Sequence, residues 1–165
     1  MSTADAVDRE AAWLATVTDA LPALPESAGG PWQVIQAYWP GARFAGQKTG
    51  IYAERAQLED IRHGSQRIRP SYEFRLRLVW PVRQATAGSA EAEQRAMDAA
   101  VDLLLQRIRG PLGDKTHGGR FLSVGEDLGK PAPTVTWDDP EHTIPATKSL
   151  RALVTYHADD FEIND

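Results

Sequence analysis

The stretch Ser71-Tyr72-Glu73-Phe74-Arg75-Leu76-Arg77-Leu78-Val79-Trp80-Pro81-Val82 decides the fold class. Tyr72, Phe74, Leu76, Leu78 and Trp80 stand at alternate positions, with Glu73, Arg75, Arg77 and Val79 between them. A sustained period of two is a β-strand with one face packed and the other turned to water or to a partner. Pro81 has no N–H to give a ladder and ends the pairing.

Past the loop from Arg83 to Gly88 the period changes. Met97, Val101, Leu104 and Ile108 recur at helical spacing, widened by Ala100 and Leu105, and predict a long helix over Ser89–Arg109. Ser89 can cap it, Glu91 and Glu93 suit its N-terminal end, and Arg107 and Arg109 suit its C-terminal end. Gly110-Pro111 stops it. The natural partner of its apolar stripe is the apolar face of the 71–82 strand. Each large side chain buried there contributes roughly 1.5–3 kcal/mol before entropy is subtracted.

The outer parts of the chain complete an α+β pattern. Val7, Leu14, Val17 and Leu21, with Trp13 beside them, predict a first helix from about Thr3 to Ala20, which Ser2, Thr3 or Asp5 could cap. Trp32–Trp39, Arg120–Glu126, Thr134–Trp137 and Leu150–Tyr156 read as strands. Thr49–Tyr52 is a short strand candidate inside an otherwise unassigned segment, Arg43–Leu58. Residues 62–70 read as a loop or strand-end excursion. Asp138-Asp139-Pro140 reads as a turn. The expected architecture is one domain over 1–165. A single mixed or antiparallel sheet carries an N-terminal helix and one long central helix, and the acidic tail at 158–165 is expected to be mobile.

At 165 residues, with 42% hydrophobic and 25% charged residues, the chain suits one globular domain rather than a disordered one. The absence of cysteine excludes disulfides, thiolate zinc sites and cysteine nucleophiles. No stretch approaches the ~18 apolar residues of a membrane span, and Met1–Glu10 is too polar for a signal peptide. A net charge of −5 disfavours nonspecific DNA binding. The charge is unevenly spread. Arg62, Arg67, Arg69, Arg75, Arg77 and Arg83 face only Glu73 in their stretch, whereas the chain after Glu126 is strongly acidic and ends in Asp159, Asp160, Glu162 and Asp165. Two solvated patches would explain this. So would a head-to-tail contact between copies, with Arg62, Arg67, Arg69, Arg75 and Arg77 on one side and Asp159 and Asp160 on the other.

Signals for catalysis are weak. His63, His117, His142 and His157 show no helical metal-site spacing, so no metal and no cofactor is expected. Gly110-Pro111-Leu112-Gly113-Asp114-Lys115-Thr116 only superficially resembles a phosphate loop. Its glycines are too close, Asp114 stands before the lysine, and it follows a helix. Asp138, Asp139 and Glu141 could be paired carboxylates but suit a turn better. Of the five tryptophans, Trp13 and Trp80 fall on apolar faces and belong to the core, while Trp32, Trp39 and Trp137 stand near strand ends.

The order helix, strands, long strand, long helix, strands resembles that of tail terminator proteins of long-tailed phages, especially those of actinobacterial hosts. The residues that carry the resemblance are Leu78-Val79-Trp80-Pro81, Gln94-Arg95-Ala96, Asp98-Ala99-Ala100-Val101-Asp102-Leu103-Leu104-Leu105, Gly113-Asp114-Lys115-Thr116-His117-Gly118-Gly119 and Leu150-Arg151-Ala152-Leu153-Val154-Thr155-Tyr156. The resemblance covers most of the chain after about Ile51. It implies a virion protein, assembled in the bacterial cytoplasm as a homohexameric ring without catalytic residues. Such a ring caps the tail tube and stops its growth. Its partners are the major tail tube protein and a head-closure or connector protein, and genomic DNA passes through its lumen without specific binding. A head-closure or other neck subunit is the nearest alternative. A small enzyme with a composite site and a DNA-binding accessory protein using the Arg62–Arg83 patch are the others.

Overall fold

A computed structural model describes residues 2–45, 47–62, 67–83, 86–110, 114–125, 132–161 and 163–164. The elements in chain order are α1 (Thr3–Ala15), β1 (Val34–Ala37), α2 (Ala42–Ala45), β2 (Gly50–Arg62), β3 (Arg67–Pro81), α3 (Ala87–Arg109), β4 (Ser123–Val124), β5 (Thr134–Trp137), α4 (Pro140–Thr147), β6 (Ser149–Asp159) and β7 (Ile163–Asn164). The fold is α+β. One sheet runs β1-β2-β3-β6-β4, with β5 also on β6 and β7 on β3. Among the described strands β1 and β2 pair in parallel and the other pairings are antiparallel.

β3 is the strand that alternation predicts, extended upstream to Arg67. Register sorts its neighbours by face. Leu76 lies opposite Ala53 on β2 and Val154 on β6, Leu78 opposite Ile51 and Ala152, and Phe74 opposite Tyr156. All of these are buried in one core with Val7, Ala11 and Leu14 of α1 and Met97, Val101, Leu104 and Ile108 of α3. Trp80 Nε1 donates to Glu93 of α3 at 2.7 Å. The intervening residues form the outer face, where Arg75 lies opposite Glu54 and Thr155, and Glu73 opposite His157. Beside Val79, this face carries a small second apolar cluster with Ala45, Tyr52 and Trp39.

Several boundaries differ from the sequence expectation. α1 ends at Ala15, because Thr16 takes an extended conformation and its hydroxyl bonds back to the Ala12 carbonyl at 2.7 Å. Val17, expected on the apolar stripe, is exposed. A capping box between Ser2 and Asp5 starts this helix. α3 is capped by Thr86, whose hydroxyl accepts from the Ser89 N–H. The unassigned segment contains α2 and most of β2, whose residues 55–60 are exposed. Those positions show no alternation because neither face there is covered; pairing with β3 makes the strand. The expected loop at 62–70 is instead largely strand, apart from 63–66, which lie outside the described residues. Of the strand expected at Arg120–Glu126, Ser123–Val124 is strand among the described residues, and Glu126 lies outside them. Asp139 does more than turn the chain: it caps α4, accepting from the Glu141 N–H, with Pro140 in the first turn. The tail expected to be mobile is built into the sheet over much of its length. Ala158 and Asp159 finish β6, the Asp160 N–H donates to the Pro70 carbonyl at 2.8 Å, and Ile163–Asn164 pairs with β3.

Leu104 is 0% exposed where α3 meets the sheet. Leu104→Asp is expected to abolish the folded state, since an unpaired carboxylate there costs more than the ~5–15 kcal/mol domain stability can absorb alongside the lost apolar contact. Circular dichroism checks this; a cooperative melt near that of the parent would refute it.

Candidate functional site

β3 and β6 run antiparallel, with Ser71 opposite Asp159, so the basic start of β3 lies against the acidic end of β6 in the same chain. Arg69 approaches Asp159 at 3.9 Å. Asp160, 3% exposed, is bound by Arg9 of α1 at 2.7 Å, and the Arg9 guanidinium also lies over the Phe121 ring. On the outer face Glu54 accepts from Arg77 Nε at 2.9 Å and lies 3.7 Å from Arg75. Arg67 is exposed at the start of β3, opposite Asn164 of β7. The backbone of Arg62 pairs with Ile68, and its side chain lies outside the described residues. The expected charge match is therefore made, for Arg69 and Asp159, inside one subunit. Asp159 and Asp160 are buried structural groups and do not form a projecting acidic surface. Sequence alone does not reveal this, because the pairing depends on which strand lies beside β3.

The least solvent-exposed polar groups lie on the other side of the sheet. Glu10 of α1, His117 and Arg107 are 0% exposed, and so is Tyr156 of β6. The Tyr156 hydroxyl donates to Glu10 Oε1 at 2.6 Å. His117 Nδ1 lies 2.9 Å from Glu10 Oε2, and Nε2 lies 2.7 Å from the Ile108 carbonyl. A carbonyl can only accept, so Nε2 carries a hydrogen and a second proton lies between Nδ1 and the carboxylate. One carboxylate thus ties α1 to β6 and, through His117, to the last turn of α3, satisfying a carbonyl that the end of that helix would otherwise leave open. The imidazole stacks on Trp13 with centroids 5.1 Å apart. Arg107, which the sequence assigns to the C-terminal end of α3, lies over the same indole at 4.6 Å and donates to the Trp13 carbonyl.

The loop bearing His117 is shaped for this. Asp114 accepts from the Thr116 N–H at 2.9 Å and the Thr116 hydroxyl at 2.6 Å, bonds that hold its carboxyl below the usual carboxylate range. His117, Gly118 and Gly119 all have positive φ. At Gly118 a Cβ would also press on Trp13 and Arg120, so only glycine suits both the conformation and the space. Of the stretch set aside as a phosphate loop, residues 111–113 lie outside the described residues, and Asp114–Thr116 leads into the turn that delivers the His117 imidazole to the interior.

A histidine, a carboxylate and a tyrosine in contact are reagents for proton transfer. Here both ring nitrogens are engaged and none of the three side chains reaches solvent. His157 faces Glu73 across the ladder at 3.9 Å, His142 lies near Asp139 at 3.8 Å, and His63 lies outside the described residues. Among the described residues no group of three or more His, Cys, Asp or Glu is placed to hold a metal ion, and no helix is long and apolar enough to cross a membrane. No protein-family model matches the chain, and no curated protein matches it in sequence.

Burial alone would lower the pKa of His117, but the Glu10 carboxylate and the Ile108 carbonyl outweigh it and hold the imidazolium above its ordinary value near 6.5. A raised folded pKa makes this contribution complete below about pH 6.5 and lost as pH rises through the raised value. Burial, then Glu10, also pushes the Tyr156 phenol well above its usual range, which extends the alkaline sensitivity. Melting temperatures taken from pH 6 upward (about the free histidine pKa) are expected to fall with pH in the parent and to flatten in His117→Asn. Tyr156→Phe leaves Glu10 short of a donor and is expected to cost about 1–3 kcal/mol at neutral pH. A parent and a His117→Asn variant with the same pH slope would refute this role of the Glu10–His117 pair. Arg69→Glu, which sets a second carboxylate beside Asp159, is expected to lower the melting temperature of the isolated subunit, and an unchanged melt would show that this pair contributes nothing.

Proposed function

We propose that this chain is a tail terminator subunit of a long-tailed phage. In this reading six copies form a ring that caps the tail tube, stops its elongation and offers the surface that joins the head. The ring sits between the major tail tube protein and a head-closure protein in the virion neck, with DNA passing through its lumen. The observation that carries the reading is the resemblance running through residues 78–81, 94–96, 98–105, 113–119 and 150–156. Those stretches supply the end of the central strand, Ala100, Val101 and Leu104 of the α3 stripe, the turn residue His117 and most of β6, all of which contribute buried residues. A non-catalytic role is supported by the use of the most reactive constellation, Glu10, His117 and Tyr156, as an interior tie without access to solvent.

Growth of tail tubes tests the reading. Major tail tube protein polymerised with the purified chain is expected to give tubes of limited length with a ring at one end in electron micrographs. Tubes that lengthen as they do without the chain, and that carry no ring, would overturn it.

A further inference from the structure

On the outer face of the sheet a cleft of 270 Å³ opens between α2 and the C-terminal end of α4. Its walls include Arg43, Lys148 and Arg151, the hydroxyls of Thr147 and Ser149, and buried Val79, and among the described residues no carboxylate lines it. In a chain of net charge −5 this is a local concentration of positive charge with low-dielectric walls, which attracts anions. The fold holds part of it ready. Arg151 Nε donates to Ser149 Oγ at 3.2 Å, Ser149 Oγ lies 2.7 Å from Thr147 Oγ1, and the Arg151 guanidinium lies over the Trp39 ring. Lys148 is the left-handed C-cap of α4 and, like Arg43, is exposed.

The opposite end of α4 carries the complement. Asp138, Asp139 and Glu141 are all exposed there. An eight-residue helix is about 12 Å long, so the acidic turn and Lys148 stand at opposite ends of one short exposed element, while Arg151 lies along the strand between them, its carbonyl accepting from the Asp138 N–H at 3.0 Å. The dipole of α4 accounts for acids at its start and for Lys148 at its end. It does not account for Arg43 and Arg151, which come from α2 and β6 and converge on the same cleft. A surface with both halves of a contact on one chain suits head-to-tail association, which closes into a ring.

We infer that this cleft receives the Asp138–Glu141 turn of a second copy. The inference deepens the ring reading, on which it rests, by naming the contact between neighbours. It also moves the basic half of that contact from the 62–77 stretch to Arg43, Lys148 and Arg151. A nucleic acid would favour a longer basic track than three cations in a pocket.

A charge swap tests it by sedimentation. Arg43→Glu with Lys148→Glu reverses the cleft, and Asp138→Lys with Glu141→Lys reverses the turn; all four side chains are exposed, and circular dichroism checks that each variant folds. Each double variant alone is expected to weaken self-association about tenfold or more at low salt. An equimolar mixture of the two is expected to restore it, because every contact between alternating copies is again opposite in charge. A mixture that does not recover, or a parent that stays monomeric at every salt concentration, would overturn the contact. Stoichiometric binding of a short DNA duplex that is lost only in the cleft variant, without the swap effect, would assign the cleft to nucleic acid instead. A chain that caps tail tubes but fails the swap keeps the terminator reading and loses this contact, whereas one that passes the swap but caps no tubes does the reverse.

Discussion

β3 is paired antiparallel to β2 along one edge and to β6 along the other, and the register of these two ladders distributes the large side chains of the three longest strands between the two faces. Because directly opposed residues share a face, Ile51, Leu78 and Ala152 fall on one side, as do Ala53, Leu76 and Val154. A slip of one residue would turn Arg75, Arg77 and Glu73 into the core, so the packing of α3 and α1 on the sheet enforces the register as much as it follows from it. The same ladders set the polar chemistry of the outer face, where Glu54 meets both Arg75 and Arg77.

The attachment of α1 rests on more than apolar contact. Buried Glu10 is acceptable only because Tyr156 and His117 satisfy it, and His117 is acceptable only because Glu10 and the Ile108 carbonyl occupy its two nitrogens. Such a network has one arrangement in which all its members are paired. It therefore orients α1 against α3 and β6 more sharply than interchangeable apolar side chains would. Arg107 adds to this by reaching the Trp13 carbonyl near the end of α1.

Charge is used in two ways. Near the end of β6, Arg9 and Arg69 neutralise Asp160 and Asp159 and anchor the C-terminal segment. Around α4, by contrast, Asp138, Asp139 and Glu141 stand at the start and Lys148 at the end of an element that contributes no fully buried residue. The first arrangement stabilises the subunit, and the second leaves charge at the surface where another molecule can meet it.

The chain's own order of residues determined the fold class and its two main signals. The alternation at 71–80 and the stripe Met97, Val101, Leu104, Ile108 place the central strand and the long helix, because burial of one face leaves a period in the sequence. The apolar face of β6 was legible for the same reason, whereas Thr134–Trp137, which has no buried residue, was legible from its β-branched and aromatic composition. The distal half of β2 was not, since its faces are exposed and the strand exists through its pairing with β3. α4 was missed because Pro145 interrupts a short helix with no buried stripe. The candidate site was the least legible part. The sequence separates basic from acidic stretches, but only the antiparallel crossing of β3 and β6 decides that Arg69 meets Asp159 within one subunit. Likewise only the fold brings Glu10, His117 and Tyr156 together, and gathers Arg43, Lys148 and Arg151 around one cleft. Apart from Lys148 and Arg151 these residues are far apart along the chain, and no local period records a contact made by long-range strand pairing and helix docking.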